Sequence, residues 1–503
     1  MNKCAFRPAD PTGSVPAGNP VRSILIGSAL TFFLATVPPT LRSAVPPDSA
    51  EVLAAMKKAT VFYREKLAVQ GGYASAWALD LSEGMTESGA SPTIISIQPH
   101  GTTTIGLTML RAYVATGETL FLNGATGAVE ALVATQLSSG GWDDDFDFDP
   151  EIAAKVHTRR DLEAGDSDPG KRYRTSTLDD HKTTSALQLL LEYVHTEGVI
   201  ADPEIIRSLE FGIDGLLAAQ FPSGAWAQKF QGPADPDMPV LKATIPKTWP
   251  REFPKAKYTG YATLNDGNLT HVMEFLLRAH ELTGDPRFMA SAKRLGQFLL
   301  LAQLEGAQPA WAQQYDERMH PVWARKFEPP AVSSVESYGA AETLAMLWAA
   351  TGEERFRAAI FPALDWLEQS RLEDGRWARF YELETNKPLY CDAETYELTS
   401  DDGNLPTHYG FKIESGLESK IVRMRELLEL SPEDALRKQQ PPAHPESWAK
   451  RARGVVGKVK AAIESQEKEG YWIDDDLIDA GLYVKHVGAM AYYLDALRMA
   501  EKK

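Results

Sequence analysis

The chain has 503 residues and a net charge of −17, and 44% of its residues are hydrophobic, which is enough for a large core. The acidic balance argues against a nucleic-acid partner, because such a partner requires a basic face. Only two cysteines are present, Cys4 and Cys391, so a disulfide framework and a C-x-x-C metal site are excluded. Acidic side chains could still supply oxygen ligands for a hard cation.

The first 49 residues are expected to lie outside the fold. An apolar run at residues 24–37 follows two arginines, Arg7 and Arg22, and precedes a proline-rich stretch. This run is too short for a comfortable membrane span and is typical of a signal peptide. We therefore expect residues 1–49 to be a targeting segment and linker of a secreted, periplasmic or cell-surface protein. An uncleaved N-terminal anchor is the alternative. Residues 50–503 are expected to form one domain, which we expect to be monomeric.

From residue 50 onward the pattern is helical. Apolar residues recur at three- and four-residue spacing in four segments, at residues 103–115, 185–193, 268–280 and 340–350. Each predicted helix is followed by a turn and a second helix. Three of the turns read Thr-Gly-acidic, around Gly117, Gly284 and Gly352. The glycine ends one helix, and the acidic residue favours the positive end of the next.

A second repeated pattern closes the helix pairs. Gln-x-x-x-Gly-x-Trp occurs at residues 136–142, 220–226 and 466–472, and looser copies end at Trp311 and Trp377. Such self-similarity indicates stacked or ring-closed units, in which Gln and Trp would clamp each hairpin to its neighbour. If the last helix pairs with the first, the sequence predicts an all-α fold, an α/α toroid of repeated helical hairpins. An open helical solenoid is the alternative.

Long loops follow most of these tryptophans, at residues 142–177, 226–264, 311–335 and 377–411. Because they occupy the same point in each unit, we expect them to gather on one end of the ring and form a cleft. Long loops without secondary structure of their own usually have a function, and a binding face is the natural one.

Two predicted helix starts within this end resemble each other. Residues 177–184 and 263–270 both begin Thr-Leu-(Asp/Asn)-Asp before an apolar helix. An Asp or Asn at such a place is ordinarily an N-cap. Two matching copies at the same end of the ring also favour another interpretation, in which Asp180 and Asp266 bind one cation together with substrate oxygens.

Cationic side chains lie among aromatic ones in two neighbouring loops. Arg325 follows Trp323 and precedes Phe327, and Arg379 lies between Trp377 and Tyr381. Aromatic rings stack on sugar rings, and guanidinium groups bind carboxylates through paired hydrogen bonds, so this pattern favours an anionic sugar as ligand. No Walker motif and no G-x-S-x-G motif is present, which disfavours nucleotide use and serine-hydrolase chemistry.

Several of these motifs together resemble the pectic acid lyase family, polysaccharide lyase family ten. The resemblance runs from about residue 101 to 388. It rests on Ser139-Gly-Gly-Trp142-Asp, Thr177-Leu-Asp-Asp180, Gly224-Ala-Trp226-Ala-Gln228, Leu264-Asn-Asp266-Gly, Trp311-Ala-Gln-Gln-Tyr-Asp316, Ala324-Arg325-x-Phe-Glu328-Pro-Pro and Arg379-Phe-Tyr-Glu with Thr385-Asn-Lys387-Pro.

The resemblance implies an α/α toroid that cleaves polygalacturonate by Ca²⁺-assisted β-elimination. It assigns the catalytic base to Arg325 and Ca²⁺ binding to Asp180 and Asp266, with Asp179 assisting. An arginine base strains the rule that arginine stays protonated. A nearby Ca²⁺ and neighbouring cations would have to lower its pKa.

The substrate implied by the resemblance is an acidic polysaccharide similar to polygalacturonate. Lys387 and Arg379 are expected to neutralise its carboxylates. Trp323, Gln313 and Tyr381 are expected to contact it as well.

One departure from the family pattern leaves other functions open. After Lys387 the family supplies a further arginine, whereas this chain continues Cys391-Asp392 and has no arginine before Arg423. A catalytically weakened protein that binds a uronate polymer is therefore one alternative. A glycoside hydrolase on the same toroid is another, with Asp316, Glu328 and Glu336 as candidate acid and base.

Overall fold

The structure is a computed structural model that describes residues 46–414, 416–442 and 444–501. The predicted targeting run at residues 24–37 lies outside the described residues. The α-helices in chain order are α1 (Ser49–Phe62), α2 (Thr102–Thr116), α3 (Thr119–Thr135), α4 (Pro150–Ala153), α5 (Arg159–Glu163), α6 (Lys182–Val194), α7 (Pro203–Ala218), α8 (Asn268–Thr283), α9 (Pro286–Ala302), α10 (Ser334–Thr351), α11 (Glu354–Gln369), α12 (Gly416–Leu428), α13 (Pro432–Gln439), α14 (Pro445–Glu464) and α15 (Ala480–Glu501).

The long helices form two concentric layers, which confirms the predicted α/α toroid. Helices α15, α2, α6, α8 and α10 pack side by side in the inner layer, and each of α2, α6, α8 and α10 is followed along the chain by an outer helix, α3, α7, α9 or α11. The first and last helices meet as expected. The ring of Tyr63, in the π-helical turn that continues α1, lies 4.1 Å from the ring of Tyr483 in α15. The hydroxyl groups of Thr60 and Tyr483 share a hydrogen bond.

The repeated Gln and Trp are clamps, as predicted. Gln136 donates from Nε2 to the carbonyl oxygen of Gly140 in its own loop (2.8 Å) and to that of Ser208 in the next outer helix (2.9 Å). Trp142 donates from Nε1 to the carbonyl oxygen of Leu132 in the preceding helix (2.9 Å). Equivalent contacts are made by Gln220, Gln303, Gln466, Trp226, Trp311, Trp377 and Trp472. Gly140 has φ +104, and a Cβ there would lie 2.9 Å from Gly215 of the same outer helix.

Short antiparallel strands connect neighbouring loops at one end of the ring. They pair β1 with β17, β4 with β5, β6 with β7, β8 with β9, and β10 with β12. The strands are β1 (Ala76–Ala78), β2 (Gly84–Met85), β3 (Ala90–Ser91), β4 (Ile94–Ser96), β5 (Asp145–Asp147), β6 (Ser176–Thr177), β7 (Lys229–Phe230), β8 (Ala262–Thr263), β9 (Gln314–Tyr315), β10 (Ala331–Ser333), β11 (Trp377–Ala378), β12 (Phe380–Glu382), β13 (Pro388–Cys391), β14 (Leu398–Thr399), β15 (Lys412–Ile413), β16 (Ile473–Asp474) and β17 (Leu477–Asp479). These pairings hold the loops together on the end where the inner helices α6, α8 and α10 begin.

One hydrophobic core runs through the whole ring, from Val52 in the first helix to Ala496 in the last. Five tryptophans of the repeated pattern are among its largest fully buried side chains, Trp142, Trp226, Trp311, Trp377 and Trp472. Among the described residues, no helix combines the length and the apolar character needed to cross a membrane.

The clamp makes a prediction for stability. Gln220 is buried and donates to the carbonyl oxygens of Gly224 (3.0 Å) and Ser291 (3.1 Å). Gln220→Ala leaves these buried acceptors unsatisfied, so we expect a loss of about 1–3 kcal/mol in the free energy of unfolding, measured with urea. The exposed Gln231→Ala is the control, with an expected change below about 0.5 kcal/mol. Equal losses of unfolding free energy in Gln220→Ala and Gln231→Ala would contradict the role of Gln220 as a clamp.

Candidate functional site

The two matching helix starts have the same backbone conformation. A short 3-10 turn precedes α6 and another precedes α8, and each contains two consecutive left-handed residues. These are Asp180 (φ 47°) with His181 (φ 64°), and Asp266 (φ 49°) with Gly267 (φ 71°). Left-handed backbone is strained for a residue other than glycine, and such strain concentrates at functional sites. No side chain caps α6 or α8, so the ordinary role of an Asp at a helix start is absent here.

The repeated turn brings three carboxylates together. One oxygen from each of Asp179, Asp180 and Asp266 lies within 4.8 Å of the others. Since hard divalent cations prefer carboxylate oxygens, this group fits a metal ion. The structure thus places all three predicted metal ligands at a single point, although the chain separates Asp266 from the other two by a complete helical hairpin.

Electrostatics show that the triad holds an excess of negative charge. Burial raises the pKa of Asp266 to about 7; Arg379 opposes the shift, and Asp179, Asp180 and Glu336 add to it. The pKa of Asp180 is also raised, first by burial and then by Asp179. A bound divalent cation would relieve this repulsion.

A buried lysine lies beside the triad. Lys182 Nζ is 2.7 Å from a carboxylate oxygen of Asp144, 3.7 Å from Asp180 and 3.9 Å from Asp179. Burial lowers the pKa of Lys182, but the three carboxylates outweigh burial and leave the pKa above its usual value. Its side chain therefore carries a positive charge inside the acidic group of the cation-free protein.

Buried polar atoms without a partner gather around the same loops. In the described part of the chain, they occur on Asp143, Asp179, Gln228, Asn265, Asn268, Gln313 and Arg379. Buried polar groups are normally hydrogen-bonded, so each such atom calls for an explanation. A polar ligand at this end of the ring would supply the partners. Gln313 is one of these residues, and its place in a binding site stays a prediction.

Arg325 lies on the loop between β9 and β10, held by a carboxylate. Its guanidinium donates to Glu328 from Nε (2.8 Å) and from Nη2 (2.5 Å), and it lies over the ring of Phe327. Burial lowers the pKa of Arg325, but the hydrogen bonds and charge of Glu328 outweigh burial and raise it above the usual range. In the cation-free protein the direct partner of Arg325 is therefore an anion, and the lowering of its pKa by a nearby Ca²⁺ and neighbouring cations stays a prediction.

Arg379 connects the triad to the Arg325 loop. Its Nη2 donates to Glu336 (3.0 Å) and lies 3.8 Å from Asp266. The ring of Tyr409 is 4.7 Å from the Arg379 guanidinium and 5.5 Å from that of Arg325. The Tyr409 hydroxyl donates to Glu328 (2.9 Å), so one aromatic ring joins the two arginines and their carboxylate.

Trp323 and Tyr381 are buried and hydrogen-bonded to the scaffold, and their predicted contact with substrate stays a prediction. Trp323 is buried, its Nε1 donates to the carbonyl oxygen of Pro250 (2.8 Å), and it lines a separate cavity of about 200 Å³ with Trp249. Tyr381 is buried too, and its hydroxyl donates to the carbonyl oxygen of Ser370 (2.5 Å). Both side chains use their polar atoms to hold the scaffold. Lys387 is exposed, on the hairpin between β12 and β13.

Three residues of the site were missed by the sequence reasoning. Lys182 follows the predicted ligands directly and could have been noticed as a cation at the start of an apolar helix. Asp144 belongs to an acidic loop that sequence alone cannot distinguish from a solvated turn. Tyr409 lies in the segment that departs from the family pattern, so no motif marked it.

Part of the chain matches a family of known proteins. Residues 145–376 match the pectic acid lyase family. The predicted resemblance is thereby confirmed over this range, which includes Asp179, Asp180, Asp266 and Arg325, and a polysaccharide lyase is the class of enzyme that the match supports.

Among solved structures, a family 10 polysaccharide lyase from Cellvibrio cellulosa is similar at 18% identity, covering 65% of this chain and 97% of that one, with a TM-score of 0.44. A variant of that lyase, in complex with trigalacturonic acid, is 17% identical, with coverages of 65% and 98% and a TM-score of 0.45. The cellobiose 2-epimerase from Spirochaeta thermophila is 13% identical, with coverages of 92% and 99% and a TM-score of 0.43. No curated protein matches the chain.

The raised pKa of Asp266 predicts how stability depends on pH without a cation. Between an unfolded pKa of about 3.9 and a folded pKa of about 7, the native state holds a proton that the unfolded state has lost. The free energy of unfolding therefore falls as pH rises through this window. We expect Asp266→Asn to unfold at a higher urea concentration than the parent at pH 8 with chelator present, and to differ less at pH 4. If Asp266→Asn lowered the free energy of unfolding by the same amount at pH 8 and pH 4, the raised pKa of Asp266 would be contradicted.

Proposed function

We propose that the protein is a Ca²⁺-dependent pectate lyase that cleaves a polygalacturonate-like polymer by β-elimination. The observation that carries the proposal is the juxtaposition of an acidic triad with arginine side chains. Arg379 lies 3.8 Å from Asp266, and Tyr409 joins it to Arg325. A uronate polymer presents carboxylates that both a cation and guanidinium groups can bind.

In this proposal, Asp179, Asp180 and Asp266 hold Ca²⁺. When bound, the cation withdraws electron density from the uronate carboxylate and makes the neighbouring C5 proton more acidic. Arg379 is placed to pair with a substrate carboxylate, in exchange for its contact with Glu336. The buried amides around the triad can donate to sugar hydroxyls and accept from them.

Arg325 is the proposed base. It accepts the proton from C5, the electron pair forms the C4–C5 double bond, and the bond from C4 to the glycosidic oxygen breaks. The leaving oxygen takes a proton from solvent. Because Glu328 raises the pKa of Arg325, only a small fraction is unprotonated at neutral pH. The rate is therefore expected to increase as pH rises into the alkaline range.

The surroundings of its three candidate carboxyl groups disfavour the hydrolase alternative. A glycoside hydrolase needs one carboxyl group that stays protonated. Burial raises the pKa of Glu328, but Arg325 outweighs it, so the pKa lies below the usual value. Glu336 is paired with Arg379 (3.0 Å), and Asp316 lines the separate cavity beside Trp323. A uronate-binding protein without turnover would use the same residues, and only an activity assay separates it from a lyase.

The assay for the proposal follows the unsaturated product in the near ultraviolet during incubation with polygalacturonate. Activity is expected with Ca²⁺ and not with excess chelator. Arg325→Ala and Arg325→Lys are expected to lower kcat by at least about 100-fold, the usual contribution of a general base. Arg318→Ala, which removes an exposed arginine from the same loop, should keep near-parental activity. New reducing ends without the unsaturated product would indicate hydrolysis, and full activity of both Arg325 variants would overturn the assignment of the base.

Export through residues 1–49 is also part of the proposal, supported by the apolar run at residues 24–37. Fractionation of cells that produce the full-length chain is expected to recover it outside the cytoplasm. Recovery in the cytoplasm alone would contradict export and leave the proposed chemistry untouched.

A further inference from the structure

Lys182 is an unusual neighbour for a cation site. It is the first residue of α6 and only 2% exposed, and Nζ lies within 4.0 Å of three carboxylates. Burial of an ammonium group is costly unless carboxylates compensate its charge. Its shortest contact is with Asp144 (2.7 Å), from the loop that follows Trp142. The lysine thus ties a second loop to the triad.

The charges around the triad define how many ions it can hold. Four carboxylates belong to the group, from Asp144 and the three predicted ligands. Lys182 lies among them. Arg379 lies 3.8 Å from Asp266, but Glu336 is its closer partner (3.0 Å) and offsets its charge. The remainder is three negative charges, so a second divalent cation would give the group a net positive charge. Without Lys182 the remainder would be four negative charges, which two divalent cations neutralise.

We propose that Lys182 is a resident cation that restricts the acidic group to one divalent ion and keeps the affinity for that ion below what the carboxylates alone would give. This inference rests on the cation site of the proposed function. The lysine also reduces the repulsion among Asp144, Asp179 and Asp180 when no divalent ion is bound. At a moderate affinity the protein satisfies only part of the ion's preference for negatively charged oxygen ligands. The substrate carboxylate can then supply the rest.

Binding of Ca²⁺ to the full chain, measured by isothermal titration calorimetry, tests the proposal without relying on activity. The parent is expected to bind one ion. Lys182→Met and Lys182→Gln should bind Ca²⁺ at least about tenfold more tightly, or take up a second ion, because a unit charge a few ångströms from a divalent ion is removed. Lys182→Arg keeps the charge and should stay close to the parent.

The matched control is Lys293→Met, which removes a lysine that pairs with Glu353 on the outer helices (2.9 Å). Its Ca²⁺ affinity should stay within about threefold of the parent, since charges this exposed and distant are screened. The second readout is thermal unfolding. Ca²⁺ should raise the Tm of both neutral Lys182 variants by more than it raises that of the parent, because their cation-free states carry more repulsion.

Unchanged affinity and stoichiometry in folded Lys182→Met and Lys182→Gln would overturn the inference, as would loss of Ca²⁺ binding in both. Neutral variants that fold only with Ca²⁺ present would support it, since the ion then replaces the missing charge; variants that stay unfolded at saturating Ca²⁺ would overturn it. A parent chain that binds no Ca²⁺ contradicts the proposed function itself. If the parent binds Ca²⁺ and cleaves polygalacturonate while the neutral Lys182 variants keep its Ca²⁺ affinity and stoichiometry, that result contradicts only the role of Lys182.

Discussion

The concentration of negative charge where α6 and α8 begin is the constraint on which the rest of the structure depends. Asp179, Asp180 and Asp266 lie close together, burial and the charge of Asp179 raise the pKa of both Asp180 and Asp266, and each of the three has left-handed backbone within it or directly beside it. A protein without a use for this charge would gain stability by removing it. The fold instead supports it with Lys182 and Arg379, the two cations that flank the triad.

The ring makes this arrangement possible. Each Gln donates across to the next outer helix and each Trp donates back to the helix before it, so successive hairpins keep a fixed position relative to one another. The inner helices then begin side by side, and short antiparallel strands connect their loops. The clamps occupy the buried part of each unit, whereas the acidic residues of the triad lie in the turns that begin α6 and α8.

The sequence predicted the parts that repeat. The clamps and the pair Asp180 and Asp266 were found because two or more copies of a pattern define positions that a single copy leaves ambiguous. Trp323 and Tyr381 show the limit of this reasoning: an aromatic residue near an arginine has the same sequence pattern whether its ring faces a sugar or the core. The Lys182–Asp144 pair and the contact of Tyr409 with both arginines depend on loops that meet only in the folded ring, and no local pattern encodes them.

The central claim is that the three aspartates bind one divalent cation that a uronate carboxylate also contacts. A crystal structure of Arg325→Ala with Ca²⁺ and a trigalacturonate, with the ion identified by anomalous scattering, tests it most directly. The account predicts one ion bound by oxygens of Asp179, Asp180 and Asp266 and by a substrate carboxylate, with Lys182 still on Asp144. A bound oligosaccharide with no ion at the triad, or an ion held elsewhere, would contradict it.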